Sequence, residues 1–279
     1  LEFGLPQSRK RIFIVGTKNE VVDLNGNEPR FNPLKSILET GLPSQKSDFI
    51  DKILRHFDIK DLYGKSIKDK RGGDNNIHSW DIGLKGEVSK EQSQLLSKIF
   101  KARRKKQWAE EIGIDWMDGM PLTLEQIRTF VNYEPEELKS MLEDLTQKGY
   151  LKFEYPKKLV KEDSAEGLRT YRVYDESKHQ GYNIVTGKLS FEINKILDPN
   201  DIAPTLVATD VSRLAVPDGE GLRKLTIREG LRLFGFPEWY HIPTKETEAF
   251  DLLGNTVAVP VVEFVAEKLA KVYSESEVL

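Results

Sequence analysis

Residues 5–11 read LPQSRKR, and within them Gln7, Arg9 and Arg11 stand two apart. In extended backbone alternate side chains share a face, so the two guanidiniums project together with a primary amide beside them. Planar, five-donor forks suit a phosphate or the hydrogen-bonding edge of a base. A solvated entry into a strand has the same spacing, and spacing alone does not separate the two. A second basic run, KARRKKQW at 101–108, sets Arg103 and Arg104 among further cations. Such a run can contact a nucleic-acid backbone or simply face water, and Glu110 and Glu111 follow it at once. The third candidate joins TL at 205–206 with LLGNTVAVP at 252–260. Gly254 and Asn255 ahead of a helix N-terminus would present backbone N–H groups to an anion. An ordinary turn and cap reads the same way.

Composition bounds the chemistry. The chain has 279 residues, 38% hydrophobic and 31% charged, which is a globular balance for one large domain or two smaller ones. Its net charge is −3, so a nucleic-acid surface must be a local patch. There is no cysteine, which excludes disulfides, thiolate metal clusters and a cysteine nucleophile within the chain. His56, His78, His179 and His241 lie far apart, and no metal site is expected. No uninterrupted apolar run approaches the roughly 18 residues that span a bilayer, so no membrane is expected and a cytoplasmic setting is. A trimmed start would hide any signal peptide.

The elements that must position these residues follow from periodicity. RIFIVGT, 11–17, reads as one strand buried on both faces. Residues 34–57 carry a helical pattern broken near Pro43, and 64–90 read as an exposed polar loop anchored by Trp80. Residues 89–111 read as a helix with Ser89 and Gln92 as a capping box. Residues 121–175 hold helix, turn, helix, then two strands, YLKFEY and LRTYRVY, joined by a charged linker. That is the order of a winged helix. Its second helix is acidic, so the lysines of the following wing suit DNA better. IAPTLVATD, 202–210, reads as a strand, KLTIREGLRLF as a short helix capped by Thr226 and Glu229, and VPVVEFVAEKLAKVY as the last helix.

FGLPQSRKRIFIVGT, IAPTLVATD, RKLTIREGLRLFGFPEWY and AFDLLGNTVAVPVVEFVAEKLA occur in one order. Together they resemble the C-terminal half of a DNA (cytosine-5)-methyltransferase: its eighth motif, the threonine-leucine pair of its target recognition domain, and its ninth and tenth motifs. The strings cover about a quarter of the chain. The family's Pro-Cys-Gln nucleophile, Glu-Asn-Val glutamate and glycine-containing cofactor loop do not occur.

The resemblance implies α/β and α+β architecture. A small piece of a Rossmann-like domain (1–20) would precede a target recognition domain (21–240), and the closing helix (241–279) would pack back on the catalytic domain. It implies that Arg11 bonds a flipped cytosine, that Arg9 supports the same pocket or an adjoining phosphate, and that Gln7 orders the loop. Thr205 and Leu206 would lie against DNA, while Arg103 and Arg104 remain candidates for its backbone on charge alone. Asn255, Thr256 and Val257 would contact S-adenosylmethionine, and Arg228 and Glu229 would be internal ties. The implied partners are double-stranded DNA and an N-terminal catalytic half or subunit, in a prokaryotic restriction–modification setting, with this chain inactive alone. The start at Leu1 without an initiator methionine favours a fragment over a complete subunit. The competing reading is a winged-helix DNA-binding regulator unconnected with methylation. It has no reason to bring Arg9, Arg11 and Asn255 to one cleft.

Overall fold

The computed structural model describes all residues except 1–2, 19–20, 70–74, 165–166, 187–190, 208–210 and 277–279. In chain order the helices are α1 (Asp48–His56), α2 (Lys90–Ala102), α3 (Gln107–Ile112), α4 (Leu124–Arg128), α5 (Pro135–Gln147), α6 (Ile227–Leu233), α7 (Glu246–Asn255) and α8 (Val259–Ser276). The strands are β1 (Ser66–Ile67), β2 (Asn76–Ile77), β3 (Leu151–Glu154), β4 (Lys157–Ser164), β5 (Gly167–Tyr174), β6 (Gly181–Ile184), β7 (Lys195–Ile196), β8 (Leu214–Asp218) and β9 (Gly221–Lys224). They form two compact units, one of Leu1–Ser66 with Phe191–Leu279 and one of Ile67–Ser190. The expected bounds at 20 and 240 are not where the chain divides, because 21–66 and 191–240 fold with both chain ends.

In the first unit β7 runs parallel to β8, with Lys195 opposite Leu214, and β8 turns into antiparallel β9. Gly219, at φ 58°, supplies the left-handed turn that glycine adopts freely. Leu197, Leu206, Val216, Leu225, Leu231, Phe234, Phe250 and Leu253 pack into one core. The capping box expected at α6 is present: the Thr226 side chain accepts from Glu229 N, and Glu229 reaches back to Thr226 N. Glu229 is fully buried and takes two hydrogen bonds from the Arg223 guanidinium, whose Nε donates to Asp218 at 2.9 Å.

Four expectations are corrected here. Residues 11–17 take no regular secondary structure, and Ile12 and Ile14 are 90% and 92% exposed rather than buried. A strand covered on both faces needs neighbours, and none of the described strands pairs with this segment. IAPTLVATD is not a strand over its described part. Only Ala203 makes a bridge, to Gln7, while Pro204 offers no N–H to extend it, and 208–210 lie outside the described residues. The helix over 89–111 is two helices, α2 and α3, with Arg103 and Arg104 in the turn between them. Lastly, Glu246–Val272 is long and apolar enough on average to cross a bilayer, although no uninterrupted apolar run suggested it. The chain leaves helical geometry between α7 and α8, and Phe250 and Leu253 sit in the core.

The second unit packs Trp80, Leu95, Leu96, Ile99, Leu138, Leu142, Leu145 and Ile184 around α2 and α5. The α2 capping box of Ser89 and Gln92 is present. Residues 78–86 turn sharply but are not an exposed loop, since Ile77, Trp80 and Ile82 are buried. β3 pairs with β6, Leu151 opposite Ile184. The charged linker expected between two strands is itself strand β4, which forms an eight-rung antiparallel ribbon with β5, Lys157 opposite Tyr174. Its lysines and acids mask the strand in the sequence, and backbone pairing makes it.

Candidate functional site

Residues 3–13, 202–206, 233–235 and 254–261 meet in the first unit. Ala203 N donates to Pro6 O and Ser8 N to Ala203 O, each at 2.8 Å, which fixes the extended course of the loop. The Thr205 hydroxyl donates to Ser8 O at 2.6 Å, and Gln7 Nε2 to Leu233 O at 3.3 Å. Gln7 is buried, and its amide ties the loop to the end of α6.

Arg9 closes the arrangement. Its Nη1 donates to Leu206 O at 3.1 Å, and its Nη2 donates to Gly254 O at 3.0 Å and Thr256 O at 2.7 Å. The guanidinium lies 5.1 Å from the centre of the Phe234 ring, within cation–π range. Burial first, and the Arg11 charge second, hold the Arg9 pKa below the usual arginine value. Arg11 makes one hydrogen bond, to its neighbour's carbonyl Lys10 O, and is exposed. Both arginines line a cavity of about 530 Å³ with Gln7, Phe13, Val257 and Val261. Buried Gln7 Oε1 and Arg9 Nε have no hydrogen-bond partner among the described residues, which leaves one acceptor and one donor where pairing is the rule.

Across the cavity α7 ends and α8 begins. Val259 N donates to Phe234 O at 2.8 Å, and a Cβ on Gly235 would stand 2.6 Å from Pro260 Cδ, so α8 starts hard against the end of α6. Val257 is exposed on the cavity wall. The Thr256 hydroxyl has no hydrogen bond among the described residues. Asn255, expected ahead of a helix, closes α7 instead, and its amide donates back to Asp251 O at 3.0 Å.

Three expected positions differ. Leu206 is 1% exposed in the core, so its carbonyl serves Arg9 while its side chain has no face toward a duplex. Arg103 is 4% exposed; it donates to Asn183 Oδ1 at 2.7 Å, and desolvation, with Arg104 second, pulls its pKa down to about 10. It holds the interior rather than facing DNA. Arg104 is half-buried beside Asp118, with Nε 3.1 Å from the carboxylate. Of the two ties expected in α6, Glu229 holds Arg223, and Arg228 reaches the Tyr240 carbonyl at 3.0 Å. The residues missed by sequence reasoning are Ser8, Lys10, Phe13, Val261 and Phe234. Ser8 and Lys10 alternate with the arginines, a signal that was available; Phe234 carried none.

A family model for C-5 cytosine-specific DNA methylase matches residues 1–271. The chain belongs to that family. It is 56% identical to the Type II methyltransferase M.NlaIV of Neisseria lactamica over 268 residues, covering 96% of this chain and 61% of the relative. It is 54% identical to M.NgoBV of Neisseria gonorrhoeae over the same shares, and 35% identical to M.BanI of Aneurinibacillus aneurinilyticus, with 96% and 60% covered. The chain thus spans about three-fifths of the length of these methyltransferases.

Proposed function

We propose that the chain is the target-recognising, C-terminal part of a type II restriction–modification DNA (cytosine-5)-methyltransferase. It acts on double-stranded DNA in the bacterial cytoplasm, together with a catalytic part that carries the nucleophile. The observation that carries this reading is the Arg9 guanidinium, bonded at once to carbonyls of residues 206, 254 and 256. A DNA-binding regulator has no use for joining stretches so distant in sequence. An enzyme that sets a flipped base beside a cofactor does.

In this reading Arg9 is the tie and Arg11 the reader. Arg11 is exposed, two residues from the tie, and lines the same cavity. In this reading its guanidinium donates to cytosine O2. The Thr256 hydroxyl and the apolar wall at 257–261 are read as one edge of the S-adenosylmethionine site. The Thr256 hydroxyl has no hydrogen bond among the described residues, and Val257 and Val261 offer apolar surface, while the first N–H groups of α8 are already engaged, Val259 N by Phe234 O and Val261 N by Ala258 O, and Pro260 has none. When bound, that cofactor supplies the methyl group for cytosine C5. Thr205, turned inward to Ser8, keeps the base-side loop in place. Helices α4 and α5 followed by the β4–β5 ribbon support a winged-helix-like recognition unit, although β3 pairs with β6 instead of the ribbon.

The test is methyl transfer. The chain alone, with labelled S-adenosylmethionine and DNA, is expected to leave DNA unlabelled. Mixed with the remaining N-terminal part of a relative such as M.NlaIV, it is expected to label cytosine. Transfer by the chain alone, or none by a folded mixture, overturns the reading.

A further inference from the structure

The basic run at 101–108 does not form a DNA-facing helix, because Arg103 is buried and Arg104 sits against Asp118. Another cationic surface exists in the same unit. In the β4–β5 ribbon, directly opposed residues share a face and alternate rungs face opposite ways. The rungs Lys157–Tyr174, Leu159–Arg172 and Lys161–Thr170 therefore share one face. The rungs Lys158–Val173, Val160–Tyr171 and Glu162–Arg169 share the other.

The two faces differ in how their charges are met. On the second, Lys158 lies 3.4 Å from Asp175, and Arg169 stands opposite Glu162. On the first, Lys157 sits over the Tyr174 ring at 4.8 Å, Arg172 donates only to carbonyls, including Trp116 O at 2.9 Å, and Lys161 is exposed. None of these three has a carboxylate partner among the described residues; Asp163 is the one acid among the face's own rungs, and Glu154 of β3 accepts from the Tyr174 hydroxyl at 3.1 Å. Trp116, itself partly exposed, donates from its indole to Arg104 O at 3.2 Å, so Arg104 adjoins this face. In a chain of net charge −3, three unmatched cations and exposed aromatic rings along one ribbon are a local anion-binding surface.

We propose that this face of the ribbon lies along the phosphate backbone of the duplex, with Lys157 and Lys161 each neutralising a phosphate. The two lysines are four residues apart on one strand, roughly 13 Å at about 3.3 Å per residue. They therefore reach separate phosphates and fix register without reading sequence. The inference rests on the methyltransferase reading for its ligand, duplex DNA. It replaces Arg103 as the backbone contact.

The experiment is fluorescence anisotropy of a labelled random-sequence duplex with the 279-residue chain, wild type and K157Q/K161Q, across a salt series. Each phosphate contact contributes about 0.9 to the slope of log affinity against log salt, so the double variant is expected to lose about 1.8 of that slope. Its affinity at low salt should fall at least roughly tenfold. Lys158→Gln, on the opposite face, should leave the slope unchanged. Both variants should keep a cooperative melt, with at most a modest loss where Lys157 leaves the Tyr174 ring and Lys158 leaves Asp175. Duplex binding with an unchanged slope in K157Q/K161Q overturns this contact and leaves the methyltransferase reading standing. Absence of duplex binding by the wild-type chain at low salt overturns it too, and the methyl-transfer assay then decides the broader reading separately.

Discussion

Arg9 and Arg11 stand two apart on one extended segment, yet they do different work. Both line one cavity, but so do Ser8 and Lys10 of the other alternation, so a shared face is not what brings them there. Spacing could not show that one guanidinium would be consumed by three backbone carbonyls and the other left with one. The difference is measurable. Arg9→Ala strands half-buried carbonyls, and unmet buried acceptors cost about 1–3 kcal/mol each when water cannot reach them. We expect a loss of stability of that order in denaturant unfolding of the chain. Arg11→Ala, at an exposed site, should change stability by no more than about 0.5 kcal/mol. In the reconstituted enzyme Arg11→Ala should abolish methylation and leave duplex binding largely intact. Equal destabilisation by the two substitutions would remove the distinction between tie and reader.

At the scale of elements, the clasp of Asp218, Arg223 and Glu229 shows how β8, β9 and α6 are held. Asp218 accepts from Gly41 N, Leu42 N and Arg223 Nε. Burial works to raise its pKa, but the Arg223 side chain and then the two backbone donors prevail and hold it below the usual aspartate value. The stabilisation it contributes is therefore fully present above the unfolded aspartate pKa of about 3.9 and is lost as pH falls through the lower folded value. Asp218→Asn should be less stable than wild type near neutral pH, and its stability should fall less steeply below about pH 4. Identical acid limbs in urea titrations of the two proteins would count against the clasp.

This clasp also marks what was legible in the chain. The Thr226–Glu229 and Ser89–Gln92 boxes were readable because capping is local, set by residues three apart. Helices α4 and α5 were readable from their apolar stripe. The β8–β9 hairpin was not, since short runs such as LAVPD and GLRK lack a period, and the partners of Asp218 at 41 and 42 lie far off in sequence. Strand β4 was hidden by its charges for a related reason: an exposed ribbon needs backbone pairing and little apolar alternation. Arg103 was misplaced because burial of a cation depends on Asn183, eighty residues away.

For the molecule as a whole, the segment 11–17 leaves apolar side chains uncovered. Ile12 and Ile14 stand almost wholly in solvent, on backbone without regular secondary structure that no described strand pairs. Apolar β-branched residues in this state are a template for strand addition. Under the proposed function the strand belongs in the sheet of the catalytic part, and its exposure here is the surface that part covers. Two consequences can be separated by one double substitution. Ile12→Lys/Ile14→Lys should leave the melting of the chain unchanged, because neither side chain has packing to lose. It should also reduce any self-association seen by light scattering at high concentration, because charge on an edge opposes pairing. In the mixture with the N-terminal part of a relative, the same variant should fail to support methyl transfer even though Arg9, Arg11 and Thr256 are intact. Full activity of the variant mixture would mean that the segment joins no sheet, and that the two parts meet through some other surface.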